Sequence, residues 1–303
     1  MARGTLLALL ALAPRLAAQQ VADSAFAPPI PHPAWAEGAG PVVAVDAGHH
    51  NFHTPDGGYL AFSRLLRRDG FVVGAMEQPW SAASLAGVRV LVVANALHGS
   101  NVGNWTLPTP SAFSAEEIAA VRAWVERGGS LFLIADHMPF AGAADRLAAA
   151  FGVRYANGFA YNGDWDDPQV FRRADGSLRD HAITRGRGPA ECVDSVAAFT
   201  GSAFQAPEGV ATLLRFGPGA FTVNPGTAWQ FDSTTARVPI DGWSQGAVFR
   251  VGRGRVAVFG EAAMFSAQVA GPTRRPMGMN APVAAQNPQF LLNLLHWLTG
   301  VVE

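Results

Sequence analysis

Short apolar runs alternate with amphipathic helical segments in the first half of the chain, and this alternation restricts the possible folds most. Val42–Asp46 and Arg89–Asn95 are nearly continuous apolar runs, as in strands that are buried on both faces of a parallel sheet. Gly58–Asp69 has apolar residues at helical spacing, and Ser114-Ala115-Glu116-Glu117 has the pattern of a helix capping box. The next strand is predicted at Ser130–Asp136. This alternation of predicted strands and helices indicates a doubly wound α/β fold.

The second half of the chain is richer in turns. Tyr155–Arg187 is predicted to be loop-rich, and Gln245–Val251 and Arg255–Gly260 are predicted to form a hairpin through an intervening Gly-Arg-Gly. Asn287–Thr299 is predicted to be a closing amphipathic helix. The sequence thus predicts one domain over residues 42–300, with a mostly parallel sheet, flanking helices and a C-terminal β-hairpin.

The N-terminal residues have the pattern of a targeting segment. Residues 1–18 combine Arg3, an apolar run and small residues that end at Ala18, which is typical of a secretory signal peptide. Residues 19–41 form a Pro-rich lead-in to the domain. No later run is long and apolar enough to span a bilayer, so we expect an exported protein, periplasmic or extracellular, without a stable membrane span.

Composition excludes several kinds of chemistry. All 22 basic residues are arginine, so the chain has no lysine for a Walker A loop or for a pyridoxal phosphate (PLP) Schiff base. No G-x-G-x-x-G follows the first predicted strand, and we therefore expect no nucleotide cofactor. The formal net charge of −1 offers no excess of positive charge to attract nucleic acid.

Polar residues follow the predicted parallel strands, where ligands bind in open α/β sheets. Histidines and carboxylates can hold a divalent metal such as Zn, Mn or Fe, and separate loops can converge on one ion. The candidate metal ligands are Asp46, His49, His50, His53 and His98. The candidate catalytic residues are Asp136, His137 and Glu261, and Asn51 and Asn95 are candidate substrate-binding residues.

Two explanations of this polar edge remain open. In the first, a bound ion lowers the pKa of a water molecule and Glu261 or Asp136 takes its proton, or a His-carboxylate pair acts as general base without metal. In the second, Asp46 and Asp136 cap helix amides while the histidines make ordinary loop hydrogen bonds. The spacing matches no known metal signature.

The segment 155–167 mixes aromatic residues with amides and carboxylates. Sugar-binding surfaces use this mixture, because ring faces stack on C–H patches while polar groups bind hydroxyls. Tyr161 and Trp165 are therefore candidate carbohydrate-binding residues. A solvated loop with buried aromatic rings is the alternative.

Several short motifs resemble the class I glutamine amidotransferase-like superfamily. They are Asp46 to His53, the unit from Ser114 to Asp136, Asp180-His181-Ala182-Ile183-Thr184 and Val258-Phe259-Gly260-Glu261-Ala262. The resemblance is to the branches found in gliding-motility and intraflagellar-transport proteins and, more distantly, to the trehalose-utilisation type. It implies a flavodoxin-like sheet over most of the chain from Val42 to Thr299.

The resemblance does not carry over the superfamily's nucleophile. The elbow cysteine would fall near Asp136-His137-Met138-Pro139, where neither cysteine nor serine is present, so we expect no glutaminase activity. We expect an exported hydrolase-like enzyme that acts on a carbohydrate-related substrate, either with a bound divalent metal or without one. The alternatives are a non-catalytic carbohydrate-binding or cell-envelope scaffold domain and a glycosidase that uses Glu261 and Asp136 as its carboxylate pair.

Overall fold

A computed structural model describes residues 20–163, 168–210 and 212–303, and these residues form a mixed α/β fold with several partly antiparallel sheets. The strands are β1 (Val21–Ala22), β2 (Val42–Asp46), β3 (Val72–Met76), β4 (Val90–Ala94), β5 (Ser130–Ile134), β6 (Arg154–Tyr155), β7 (Phe159–Tyr161), β8 (Gln169–Arg172), β9 (Ser195–Ala198), β10 (Phe204–Gln205), β11 (Thr212–Arg215), β12 (Phe221–Asn224), β13 (Ala236–Pro239), β14 (Ser244–Val251), β15 (Gly254–Phe259), β16 (Ala267–Ala270) and β17 (Arg275–Gly278). The helices are α1 (Leu60–Arg68), α2 (Ala115–Glu126), α3 (Phe140–Ala149), α4 (Ala182–Arg185) and α5 (Asn287–Thr299).

The largest sheet has the strand order β3-β2-β4-β5-β15-β14-β10-β6, and β11 pairs with β14. The first five strands run parallel. From β15 onward the pairing is antiparallel, and the smaller sheets are antiparallel as well. The expected parallel sheet is therefore correct for this half of the largest sheet, whereas the rest of the structure is antiparallel.

Helices cover both faces of the parallel strands, because successive side chains of a strand point to opposite faces. In β4, Val90 and Val92 belong to the apolar core shared with α1 and α5, whereas Leu91 and Val93 belong to the core shared with α2 and α3. A capping box at Ser114 starts α2, as the sequence predicts.

The predicted C-terminal hairpin is present. β14 and β15 pair antiparallel from Gly246–Phe259 to Val251–Gly254, and β15 also pairs in parallel with β5. The hairpin thus extends the largest sheet, and the segment after β15 lies beside the segment after β5.

Other parts of the second half differ from the prediction. The segment that we expected to be loop-rich contains β7, β8 and α4, and β12, β13, β16 and β17 were not predicted. These four strands have only four residues each, which is too short for a clear hydrophobic alternation.

The N-terminal lead-in packs along the domain. β1 pairs with β16, and the ring of Trp35 lies against Phe71 with centroids 4.7 Å apart. The predicted signal peptide lies outside the described residues. Within the described ranges, no helix has both the length and the apolar character needed to cross a bilayer.

Candidate functional site

A cavity of about 530 Å³ lies where the segments after β2, β4, β5 and β15 meet. Five polar residues that the sequence singles out line it: His53, Asn95, Asp136, His137 and Glu261. This volume is in the range of small-molecule sites. The structure thus brings together residues from four separate segments of the chain.

Asp136 follows β5 and is almost fully buried. Its Oδ1 accepts a hydrogen bond from the His137 amide at 2.7 Å, and its own amide donates to Oδ1 of Asn95 at 2.9 Å. Burial raises the pKa of the Asp136 carboxyl, and the charge of His137 and hydrogen bonds from His137, Asn95 and Ala262 offset this only in part. A carboxyl with a raised pKa is suited to proton exchange with a ligand.

Asn95 follows the neighbouring strand β4, and its side chain accepts a hydrogen bond from the Asp136 amide. It adopts the left-handed region with φ of 50°, which asparagine tolerates better than most residues, and its carbonyl accepts from the Phe52 amide at 2.9 Å. This local geometry connects the segments after β2, β4 and β5. Asn95 therefore acts on the cavity at least through the positions of its neighbours.

His137 lines the cavity, and one of its ring nitrogens is fixed by a hydrogen bond. Its Nδ1 lies 2.6 Å from the carbonyl oxygen of Met138. Because a carbonyl oxygen only accepts, Nδ1 carries the proton, and in the neutral ring Nε2 keeps its lone pair. The ring stacks on Phe159 with centroids 4.5 Å apart and meets Trp229 at 4.8 Å.

His53 is a neutral part of the cavity wall. Its ring stacks on Tyr59 with centroids 4.6 Å apart, and burial lowers its pKa to about 3. Its Nδ1 has no hydrogen-bond partner among the described residues, and it lies so close to Gly58 that a Cβ there would be 2.3 Å away. Glycine is therefore required beside this ring.

Glu261 lines the cavity and also caps the turn that follows it. Oε1 accepts from the Ala263 amide at 2.8 Å, and Oε2 accepts from the Met264 amide at 2.6 Å. Two amide donors favour the ionised carboxylate. Burial, and after it the charges of Glu261 and Asp136, raise the pKa of Tyr59.

Asp46 and His49 are buried in a separate bridge and do not line the cavity. Nδ1 of His49 donates to Asp46 at 2.9 Å, Nε2 donates to Glu117 at 3.0 Å, and Asn51 donates to Asp46 at 2.9 Å. Because both ring nitrogens face carboxylates, His49 is the imidazolium. Burial lowers the pKa of His49, but the hydrogen bonds and charges of Asp46 and Glu117 raise it by more, so the net shift is upward.

The remaining predicted residues lie elsewhere. His50 and His98 are exposed, and Nδ1 of His98 accepts from the Ser100 amide at 3.1 Å. Tyr161 is buried against Phe221 and does not line the cavity. Trp165 lies outside the described residues.

The candidate metal ligands are thus divided among three environments: the buried bridge, the cavity wall and the surface. Across the described parts of the chain, no group of three or more His, Cys, Asp or Glu side chains is arranged to hold a metal ion. The predicted ligand set does not fit a single ion, because the two carboxylates nearest to His49 already accept its protons.

Sequence reasoning missed the aromatic part of the cavity, which consists of Phe52, Trp105, Phe140, Phe199 and Trp229. Trp105 and Trp229 are distant in sequence. Their loops meet because the Ala228 amide donates to the Trp105 carbonyl at 2.8 Å and the Leu107 amide donates to the Gly226 carbonyl at 2.9 Å. No local pattern predicts this pairing.

No protein-family model and no curated protein matches the chain. Among solved structures, it is similar to the mmIFT52 N-terminal domain, with 14% identity, a TM-score of 0.59 and coverage of 85% of this chain and 97% of that chain. It also matches a putative ThuA-like protein from Bacteroides uniformis, with 13% identity, a TM-score of 0.47 and coverage of 90% and 94%. A third match is the cytoplasmic protein STM1381 from Salmonella typhimurium, with 16% identity, a TM-score of 0.47 and coverage of 85% and 98%. The first of these matches shows a shared fold and agrees in part with the sequence resemblance.

Proposed function

We propose that the cavity is the active site of a hydrolase-like enzyme that acts on a small carbohydrate-related ligand. The observation that carries this proposal is the arrangement of His137, whose Nδ1 is fixed by the Met138 carbonyl beside the buried carboxyl of Asp136. The cavity lies at the carboxyl ends of parallel strands, which is where ligands bind in open α/β sheets.

In this mechanism, Nε2 of neutral His137 takes a proton from a water molecule that attacks the ligand. The Met138 carbonyl accepts a hydrogen bond from Nδ1–H and thereby stabilises the imidazolium that forms. The imidazolium then returns this proton to the departing oxygen, so that His137 acts first as base and then as acid, beside the buried carboxyl of Asp136. His53 remains neutral and shapes the wall.

Because the predicted ligand set does not fit one ion, the proposed mechanism is the metal-free form of acid-base catalysis. His49 and Asp46 stabilise the fold in this proposal, and they do not contact the ligand.

The aromatic rings support a carbohydrate-related ligand. Phe52, Trp105 and Trp229 offer apolar faces for the C–H patches of a sugar, and the polar residues of the wall offer partners for hydroxyl groups. The exposed fraction of Trp229 is 53%, and that of Phe52 is 47%. This exposure also favours a second candidate function, a non-catalytic carbohydrate-binding or cell-envelope scaffold domain, since rings at a cavity mouth can bind a glycan without chemistry.

The two functions are distinguished by comparing turnover with binding. Turnover is measured on a panel of 4-nitrophenyl glycosides and esters, and binding of the corresponding saccharides is measured by calorimetry. We expect His137→Gln to lower kcat by about 100-fold or more and to leave binding nearly unchanged. Trp229→Ala should weaken binding, and the matched control His32→Gln, at an exposed histidine, should change neither.

Full turnover by His137→Gln would contradict the acid-base role. Saccharide binding without turnover by the wild-type protein would favour the binding domain. A protein that binds no saccharide of the panel would contradict both candidate functions.

A further inference from the structure

The described cavity wall contains acidic side chains but no arginine or lysine. Two carboxyl groups, those of Asp136 and Glu261, line it, and no arginine is present among its described lining residues. The chain has no lysine at all, since its 22 basic residues are all arginine. The only other ionisable side chains of the described wall are His53 and His137.

These histidines do not fully offset the burial of Asp136. Burial keeps His53 neutral, with a pKa of about 3, and the charge of His137 compensates the raised pKa of Asp136 only in part. None of the arginine ion pairs in the described residues involves Asp136. A buried carboxylate whose charge is only partly matched is costly, and a cationic ligand would offset that cost.

The aromatic rings of the cavity wall also favour a cationic ligand. Trp105, Phe140 and Trp229 surround the ring of His137, with centroid distances of 5.8, 5.8 and 4.8 Å. The faces of aromatic rings carry partial negative charge and attract ammonium groups, most strongly in the case of tryptophan. Carboxylates and ring faces therefore both favour a cation and disfavour an anion.

We propose that the ligand of this cavity carries a positively charged amine, as an amino sugar does, and that the ammonium group binds between Asp136 and the rings of Trp105 and Trp229. The inference rests on the proposed function, because it assigns the ligand class of the same cavity. It excludes phosphorylated, sulfated and uronic acid ligands.

Calorimetry with four probes at pH 7 tests this proposal: D-glucosamine, D-glucose, D-glucuronate and tetramethylammonium chloride. We expect D-glucosamine to bind about tenfold more tightly than D-glucose, as one charged contact with an aromatic face provides. D-Glucuronate should bind more weakly than D-glucose, and tetramethylammonium should compete with D-glucosamine.

Two variants locate the ammonium group. Asp136→Asn keeps the shape and removes the charge, so it should reduce the preference for D-glucosamine over D-glucose to nearly one. Trp229→Ala removes a ring that is about half exposed, and it should weaken the binding of both D-glucosamine and tetramethylammonium. The matched control is Glu116→Gln, at an exposed carboxylate on α2, which should leave every affinity unchanged.

Equal affinity of the wild-type protein for D-glucosamine and D-glucose would overturn the amine inference while leaving the proposed function intact. Binding of tetramethylammonium without binding of any sugar would support the cation site and contradict the carbohydrate part of the proposed function. Absence of binding of all four probes would overturn the inference.

Discussion

Replacing His49 with leucine tests whether the Asp46–His49–Glu117 bridge stabilises the fold. The substitution removes two hydrogen bonds, of 2.9 and 3.0 Å, and leaves a fully buried carboxylate at Asp46 without its cation. Removal of one partner of a buried pair costs about 3–5 kcal/mol. Since domains are stable by about 5–15 kcal/mol, we expect a large fall in the free energy of unfolding.

The assay is equilibrium unfolding in urea at pH 6, followed by tryptophan fluorescence. Trp80 is a local probe, because its ring lies 4.6 Å from the ring of His49. The matched control is His32→Leu, at an exposed histidine, which should change the free energy of unfolding by no more than about 0.5 kcal/mol. A loss below about 1 kcal/mol in His49→Leu would refute the assignment of His49 to a buried bridge.

The pH dependence of this loss has a defined sign. The pKa of His49 is raised above its ordinary value of 6.5, so its contribution is fully present below pH 6.5 and is lost as the pH rises through the raised pKa. The pKa of Glu117 is lowered from 4.5: burial raises it, but hydrogen bonds from Ser114 and Trp80 and the charge of His49 lower it by more. Its contribution is present above pH 4.5 and is lost as the pH falls through the lowered pKa. The difference between wild type and His49→Leu should therefore be largest near pH 5–6.5 and should shrink at alkaline pH.

Other consequences of the structure can be tested separately. Gly254→Ala would place a Cβ 2.1 Å from the carbonyl oxygen of Val125, so we expect a loss of about 1–3 kcal/mol in urea unfolding. His296→Leu would leave the buried Asp69, now 2.7 Å from Nε2, without its partner, and the loss should be about 3 kcal/mol by the same measurement. N-terminal sequencing of the exported protein should show cleavage after Ala18, and retention of the leader would contradict the predicted signal peptide. Elemental analysis of the purified protein should find transition metals only below one equivalent, and a stoichiometric ion would contradict the metal-free mechanism.

The parallel half of the fold could be predicted because its signals are local. β2 is a continuous apolar run, and the capping box at Ser114 starts α2 where the sequence places it. The antiparallel half depends on strands of two to four residues such as β10 and β12, whose pairing is decided by distant partners. Short segments of this kind carry too few residues for a periodicity to be read.

The part of the site that could be predicted consists of polar residues at the carboxyl ends of parallel strands. Asp136 and Glu261 were identified because each directly follows a parallel strand or its turn, and both line the cavity. The aromatic wall could not be predicted, since Trp105 and Trp229 meet through backbone hydrogen bonds between remote loops. Glu117 was identified only as a cap, although its side chain also bridges to His49, which is 68 residues away in sequence.

Two histidines only four positions apart differ in charge, and neither of them gives the cavity a cation. His49 lies between Asp46 and Glu117 and is held as a cation, but its charge is already matched by those carboxylates. His53 lies against Tyr59 and is held neutral. Because the first charge is neutralised outside the cavity and the second is absent, the loop after β2 gives Asp136 no cation. The charge of His137 offsets the burial of Asp136 only in part, and a positively charged ligand would add to that compensation.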